Sequence, residues 1–139
     1  MENELVIFNK YTIIENCIKR INNVYDGKLE TLKDFNKQDI IVLNLQRACQ
    51  AVIDIAMHII SVRNLGAPQS GKGAFTILQD NNIIDKEMTK NMQGMIGFRN
   101  IAVHEYQELD LEILKNILDN HLGELREFAR EILKKNKGE

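Results

Sequence analysis

The chain has 139 residues, 44% hydrophobic and 27% charged, with a formal net charge of −2. That length suits a single hydrophobic core, the aliphatic content excludes a disordered chain, and the charge excludes a protein that grips a long duplex through its overall electrostatics. One proline and eight glycines leave room for long helices rather than for the frequent turns of a sandwich.

Val6, Ile13, Ile14, Cys17, Ile18, Ile21, Val24 and Tyr25 recur at spacings of three and four, which predicts a first amphipathic helix ending near Asp26-Gly27. After a charged stretch, Lys28 to Asp39, a cleaner stripe runs from Ile41 through Leu45, Ala48, Cys49, Val52, Ile55 and Ala56 to Ile59 and Ile60, a long second helix. Asn64 to Gly73 gathers the single proline and three glycines and reads as a loop, followed by a short helix at Ala74, Phe75, Ile77 and Leu78 that Asn81-Asn82 stops. Asp85 is placed to cap the next helix. A last helix runs from Asp110 through Leu111, Leu114, Leu118, Leu122, Leu125, Ala129 and Ile132 to a Lys-rich end that suits its dipole. The expectation is one all-α domain over residues 1–139, an up-and-down bundle of four main helices with an additional short one.

Cys17 and Cys49 fall in apolar stripes and read as core residues. Met1 to Lys10 lacks a basic signal region, and no stretch has the roughly 18 continuous apolar residues of a membrane span, so a cytoplasmic protein without membrane contact is expected. Gly66 to Gly73, G-A-P-Q-S-G-K-G, comes within one residue of a phosphate loop. It has Gly73 where the metal-binding hydroxyl belongs and helical periodicity where a strand should lead in, so it is set aside. Asp54 and His58, four apart, read as a surface pair rather than a metal site. His121 and the Met88, Met92, Met95 stripe read as structural, and Glu105 and Glu108 as solvated.

The segment R-N-I-A-V-H-E-Y, residues 99 to 106, is different. Arg99 continues the apolar stripe of Met88, Met92 and Met95, an arrangement that either buries a salt bridge or lines a cleft for an anion. Asn100 and His104 lie one turn apart, and Tyr106 follows. Arginine offers a permanent charge for phosphate, and histidine moves protons in either direction near neutral pH. Taken alone these residues fit a structural ion-pair network better than a site, because such networks carry the same residue types.

R-N-I-A-V-H-E-Y resembles the R-x4-H-x-Y signature of the HepT toxins, a branch of the HEPN superfamily. Gln46 to Ile60 resembles that family's long second helix, Gly66 to Ser70 with Ala74 to Leu78 resembles its P-x-S and F-x-x-L segment, and Ile83-Ile84-Asp85 resembles the entry to its motif helix. The resemblance spans roughly residues 5 to 132. It implies a HEPN-like helical homodimer that cleaves RNA without metal or cofactor and is partnered by an MntA-type minimal nucleotidyltransferase as antitoxin. By position it makes Arg99 and His104 catalytic, Asn100 the residue that orients phosphate or imidazole, and Tyr106 the tyrosine the antitoxin modifies with AMP. The competing expectations are a non-catalytic nucleotide- or partner-binding module acting with a nucleotidyltransferase, and a purely structural helical dimer.

Overall fold

The computed structural model describes residues 2–104 and 110–137, with the side chains of residues 4–98 and 110–135. Among these residues there are seven helices and no strand: α1 (Glu2–Val24), α2 (Leu29–Leu32), α3 (Phe35–Val62), α4 (Gly71–Asp80), α5 (Lys86–His104), α6 (Leu111–Asn120) and α7 (Leu122–Lys137).

The up-and-down course follows from pairs of contacts. Lys10 meets Asp54 at 2.9 Å, and Arg47 lies beside Cys17, so α1 and α3 are antiparallel. Arg126 pairs with Glu15 and Arg130 Nε donates to Tyr11 Oη at 3.3 Å, so α7 runs against α1. The Lys135 ammonium donates to the Ile83 carbonyl while His121 and Glu124 face Asn91 and Met95, so α5 runs against α7. The last turns of α5 therefore emerge at the end of the bundle where α1 finishes and α2 packs on α6.

The stripes read from the sequence form the core. Ile14, Cys17, Ile18 and Ile21 of α1 and the Ile41-to-Ile60 stripe of α3 are buried. Phe75 of α4 and Phe128 of α7, both fully buried, meet edge to face with ring centres 5.4 Å apart, a geometry that places the positive edge of one ring on the negative face of the other.

Two segments depart from expectation. The charged stretch Lys28 to Asp39 holds α2 and the start of α3. Asp26 accepts from the Lys28 N–H and the Thr31 hydroxyl, and Asp34 caps α3 by accepting from Asn36 N at 3.0 Å and Lys37 N at 3.2 Å. Apolar periodicity misses this turn because its one large apolar residue, Phe35, is 78% exposed. The expected last helix is two helices. His121 leaves the helical conformation at φ −125°, its N–H still bonded to Ile117 O at 2.8 Å, and Leu118, Leu122 and Leu125 stay buried across the break. A one-residue interruption that preserves the buried stripe is invisible to spacing.

One helix bears on the membrane expectation. α3 is long and apolar enough to cross a membrane by length and average composition. It has no continuous apolar run, because Asn44, Gln46, Arg47, Gln50 and Asp54 interrupt it, and most of its apolar stretch is buried against the other helices, as in the core helix of a bundle.

Candidate functional site

α5 carries the motif, and its first half is fixed from three directions. Asp85 Oδ1 accepts from Met88 N at 2.7 Å and Thr89 Oγ1 donates to Asp85 O at 2.8 Å, so the expected cap is made. Met88, Met92, Met95, Ile96 and Phe98 are buried, which makes the methionine stripe core packing. Gln93 Nε2 donates to Lys72 O and to Thr76 Oγ1, each at 2.9 Å, and so straps α4 to α5. A Cβ at Gly71 would stand 3.2 Å from Ile53 Cδ1 and 3.5 Å from Ile96 Cγ2, so a bare glycine lets α4 begin tight against both α3 and α5.

Arg99, Asn100 and His104 occupy the last two turns of this anchored helix. Register places Gly97, Asn100 and His104 along one stripe at i, i+3 and i+7, with Arg99 one turn past Met95 on the neighbouring stripe. The side chains of these three residues lie outside the described residues, as do Tyr106, Glu105 and Glu108. What the structure establishes is a helix seated on core contacts up to Phe98, which delivers the motif to one end of the bundle.

That end is tied by a polar cluster. Tyr25 Oη donates to Asp119 Oδ1 and Lys115 Nζ to Asp119 Oδ2, each at 2.6 Å. The Lys115 and Tyr25 hydrogen bonds hold the Asp119 carboxyl below the usual carboxylate range; the same bond raises Lys115, and burial, then Asp119, pushes the Tyr25 phenol up. A cavity of about 270 Å³ lies between α5 and the α6–α7 junction, with Lys90, Asn91, Met95, Ile117, His121 and Glu124 on its walls. His121 Nδ1 lies 2.8 Å from Glu124 Oε1, so the histidine that spacing marks as merely structural belongs to a polar pair at the helix break.

The residues set aside behave as follows. Asp54 pairs with Lys10 and Gln50 rather than with His58, whose Nε2 is buried with no hydrogen-bond partner among the described residues. Cys17 and Cys49 are buried and form no disulfide, Cys49 Sγ lies 3.9 Å from Met95 O, and burial raises the Cys17 thiol. The apparent phosphate loop follows helix α3 rather than a strand, and its Ser70 caps α4 by accepting from Gly73 N at 3.0 Å. Spacing alone gives Lys72 no role, but it does leave a signal: Gly97 inside a helix costs about 1 kcal/mol against alanine, so a packing reason is expected. In the structure a Cβ there would stand 3.1 Å from Lys72 Nζ, the flexible end of an exposed side chain, so Gly97 marks where Lys72 crosses α5.

Comparison with known proteins agrees with this architecture. Residues 14–132 match the family described as "Ribonuclease HepT-like". The mRNA nuclease HepT of Shewanella oneidensis is 46% identical over 123 residues, 88% of this chain and 92% of that protein. The tRNA nuclease HepT of Aphanizomenon flos-aquae is 31% identical over 110 residues, 79% of this chain and 71% of the relative. Among solved structures, the tri-AMPylated Shewanella oneidensis HEPN toxin in complex with MNT antitoxin superposes with a TM-score of 0.86 at 46% identity, covering 96% of this chain and 98% of that one. The match takes in α5 together with almost all of the buried core, and the chain belongs to the HepT-like ribonuclease family.

Proposed function

We propose that this protein is the toxin of a toxin–antitoxin pair, an endoribonuclease that works in the cytoplasm as one HEPN unit over residues 1–139 and is silenced by a minimal nucleotidyltransferase that attaches AMP to Tyr106. The observation that carries the reading is the family match over residues 14–132, which includes Arg99, Asn100, His104 and Tyr106.

RNA brings its own nucleophile, the 2′-hydroxyl, so the protein has only to position it, move protons and stabilise charge, and no metal ion is required. Neutral His104 takes the 2′-hydroxyl proton, the 2′-oxygen attacks the adjacent phosphorus, and the 5′-oxygen leaves, giving a 2′,3′-cyclic phosphate and a 5′-hydroxyl. Arg99 stabilises charge on the phosphoryl oxygens, and Asn100 orients the phosphate or the imidazole. The leaving oxygen needs a proton, and a two-fold homodimer supplies it by bringing a second His104 to the cleft. AMP on Tyr106 adds an anion that competes with substrate phosphate for Arg99.

The test is cleavage of a labelled RNA pool in EDTA by wild-type and His104→Ala protein, purified without partner and matched for helical signal. The wild type should cut and leave cyclic phosphate ends, and the variant should be at least ~10²-fold slower, the usual scale for one acid–base group. Absence of cleavage by the wild type with Tyr106 unmodified would replace the nuclease with a binding module. Incubation with the cognate transferase and ATP should add AMP to Tyr106 by mass spectrometry; modification confined to other residues refutes that assignment.

A further inference from the structure

Lys72 is the lysine of the rejected phosphate loop, and its surroundings give it another use. Its root is held firmly: Gly71 packs on Ile53 and Ile96, Ser70 caps the first turn of α4, and Lys72 O accepts from Gln93 Nε2. Its tip lies across α5, where a Cβ at Gly97 would stand 3.1 Å from Nζ and 3.4 Å from Cε, so a larger residue would push the ammonium aside by a few tenths of an ångström. Among the described residues, that ammonium has no ion-pair partner. Gly97 shares its stripe with Asn100 and His104, about 4.5 and 10.5 Å further along the axis at 1.5 Å per residue. A cation on a fixed root therefore sits in line with the motif, in a chain whose net charge of −2 offers RNA no general attraction.

Building on the nuclease reading above, we propose that Lys72 is an RNA-binding residue whose ammonium, lying against Gly97, holds the phosphate next to the one being cleaved. Lysine suits this task as a point charge that needs no fixed angle and reads no base. Its distance along α5 from His104 makes it a positioning residue, and its contribution falls on KM rather than on kcat.

The test is binding of a fluorescent 2′-O-methyl decanucleotide, which cannot be cleaved, measured by anisotropy from 50 to 200 mM salt alongside cleavage kinetics on the unmethylated oligonucleotide. Lys72→Ala should weaken binding roughly 5- to 10-fold at low salt and lower the slope of log Kd against log salt by about 0.7, the value of one single-strand phosphate contact. KM should rise with kcat unchanged to within about 2-fold, and Lys72→Arg should restore most of the loss. Gly97→Ala keeps every charge but displaces the ammonium, and should weaken binding about 2-fold. Lys134→Ala, a matched loss of charge on α7, should leave the slope at its wild-type value. A wild-type Kd and slope in Lys72→Ala, or an equal loss in Lys134→Ala, overturns the proposal. So does a Lys72→Ala variant that loses only its hold on the nucleotidyltransferase. If the wild type cuts no RNA yet Lys72→Ala still lowers the slope, the nuclease reading falls and the phosphate contact stands.

Discussion

α3 and α5 start alike and end differently. Both present apolar stripes to the same core, but α3 buries its stripe from Ile41 to Ile60 without a break, whereas α5 buries Met88 to Phe98 and then runs on into Arg99, Asn100 and His104. In α3 each turn from Ile41 to Ile60 contributes to the core. In α5 the first three turns hold the helix so that the last two are free to carry polar chemistry. Packing and chemistry are thus divided along a single helix, and substitutions in the two parts should separate cleanly.

The largest effects test that division from both sides. Phe128 is fully buried against Phe75, so Phe128→Ala should cost about 3–5 kcal/mol of stability through lost burial and the cavity left behind. Thermal denaturation should show the loss, while cleavage per folded molecule stays near wild type. His104→Ala should do the reverse, losing about 2.7 kcal/mol of transition-state stabilisation, the equivalent of 10²-fold, with an unchanged melting temperature. Parallel losses of both properties in either variant would break the comparison.

Asp85→Ala probes the boundary. Removing its bond to the Met88 N–H should cost about 1 kcal/mol and fray the first turn of α5. Arg99 lies 14 residues further on, about 21 Å along the helix, beyond the buried stretch from Met88 to Phe98. Cleavage by the folded protein should therefore change less than about 2-fold; a larger loss would mean that order at the start of α5 reaches the motif.

Periodicity made most of the scaffold legible, because burying one face of a helix forces a 3.6-residue repeat on its sequence. Asp85 could be read for a similar reason, since a cap has a fixed place relative to the stripe that follows. The start of α3 could not be read, because its capping Asp34 precedes an exposed Phe35, and the break at His121 could not, because the buried leucines keep their phase through it. The motif was legible only through resemblance: Arg99, Asn100 and His104 show no spacing that a surface network would lack. Lys72 was hidden for another reason. Its meaning depends on Gly97, 25 residues away, and a contact between two helices leaves no period in either.

The smallest expected effect concerns the end of the bundle to which α5 delivers the motif. Asp119 sits below its ordinary titration range while Lys115 and Tyr25 sit above theirs. A depressed carboxylate contributes stability above its unfolded value and loses it as pH falls through the folded one. A raised lysine or tyrosine contributes below its unfolded value and loses it as pH rises through the folded one. The cluster should therefore stabilise the fold across the whole middle of the pH scale and fade at both ends, below the range of free aspartate and above those of free tyrosine and lysine. Asp119→Asn should lower the melting temperature slightly at pH 7, as expected for solvent-screened partners, and the gap to wild type should narrow as pH falls to 3. A gap that persists unchanged at pH 3 would mean that position 119 stabilises through packing rather than charge, and that the tie between α1 and α6 does not depend on ionisation.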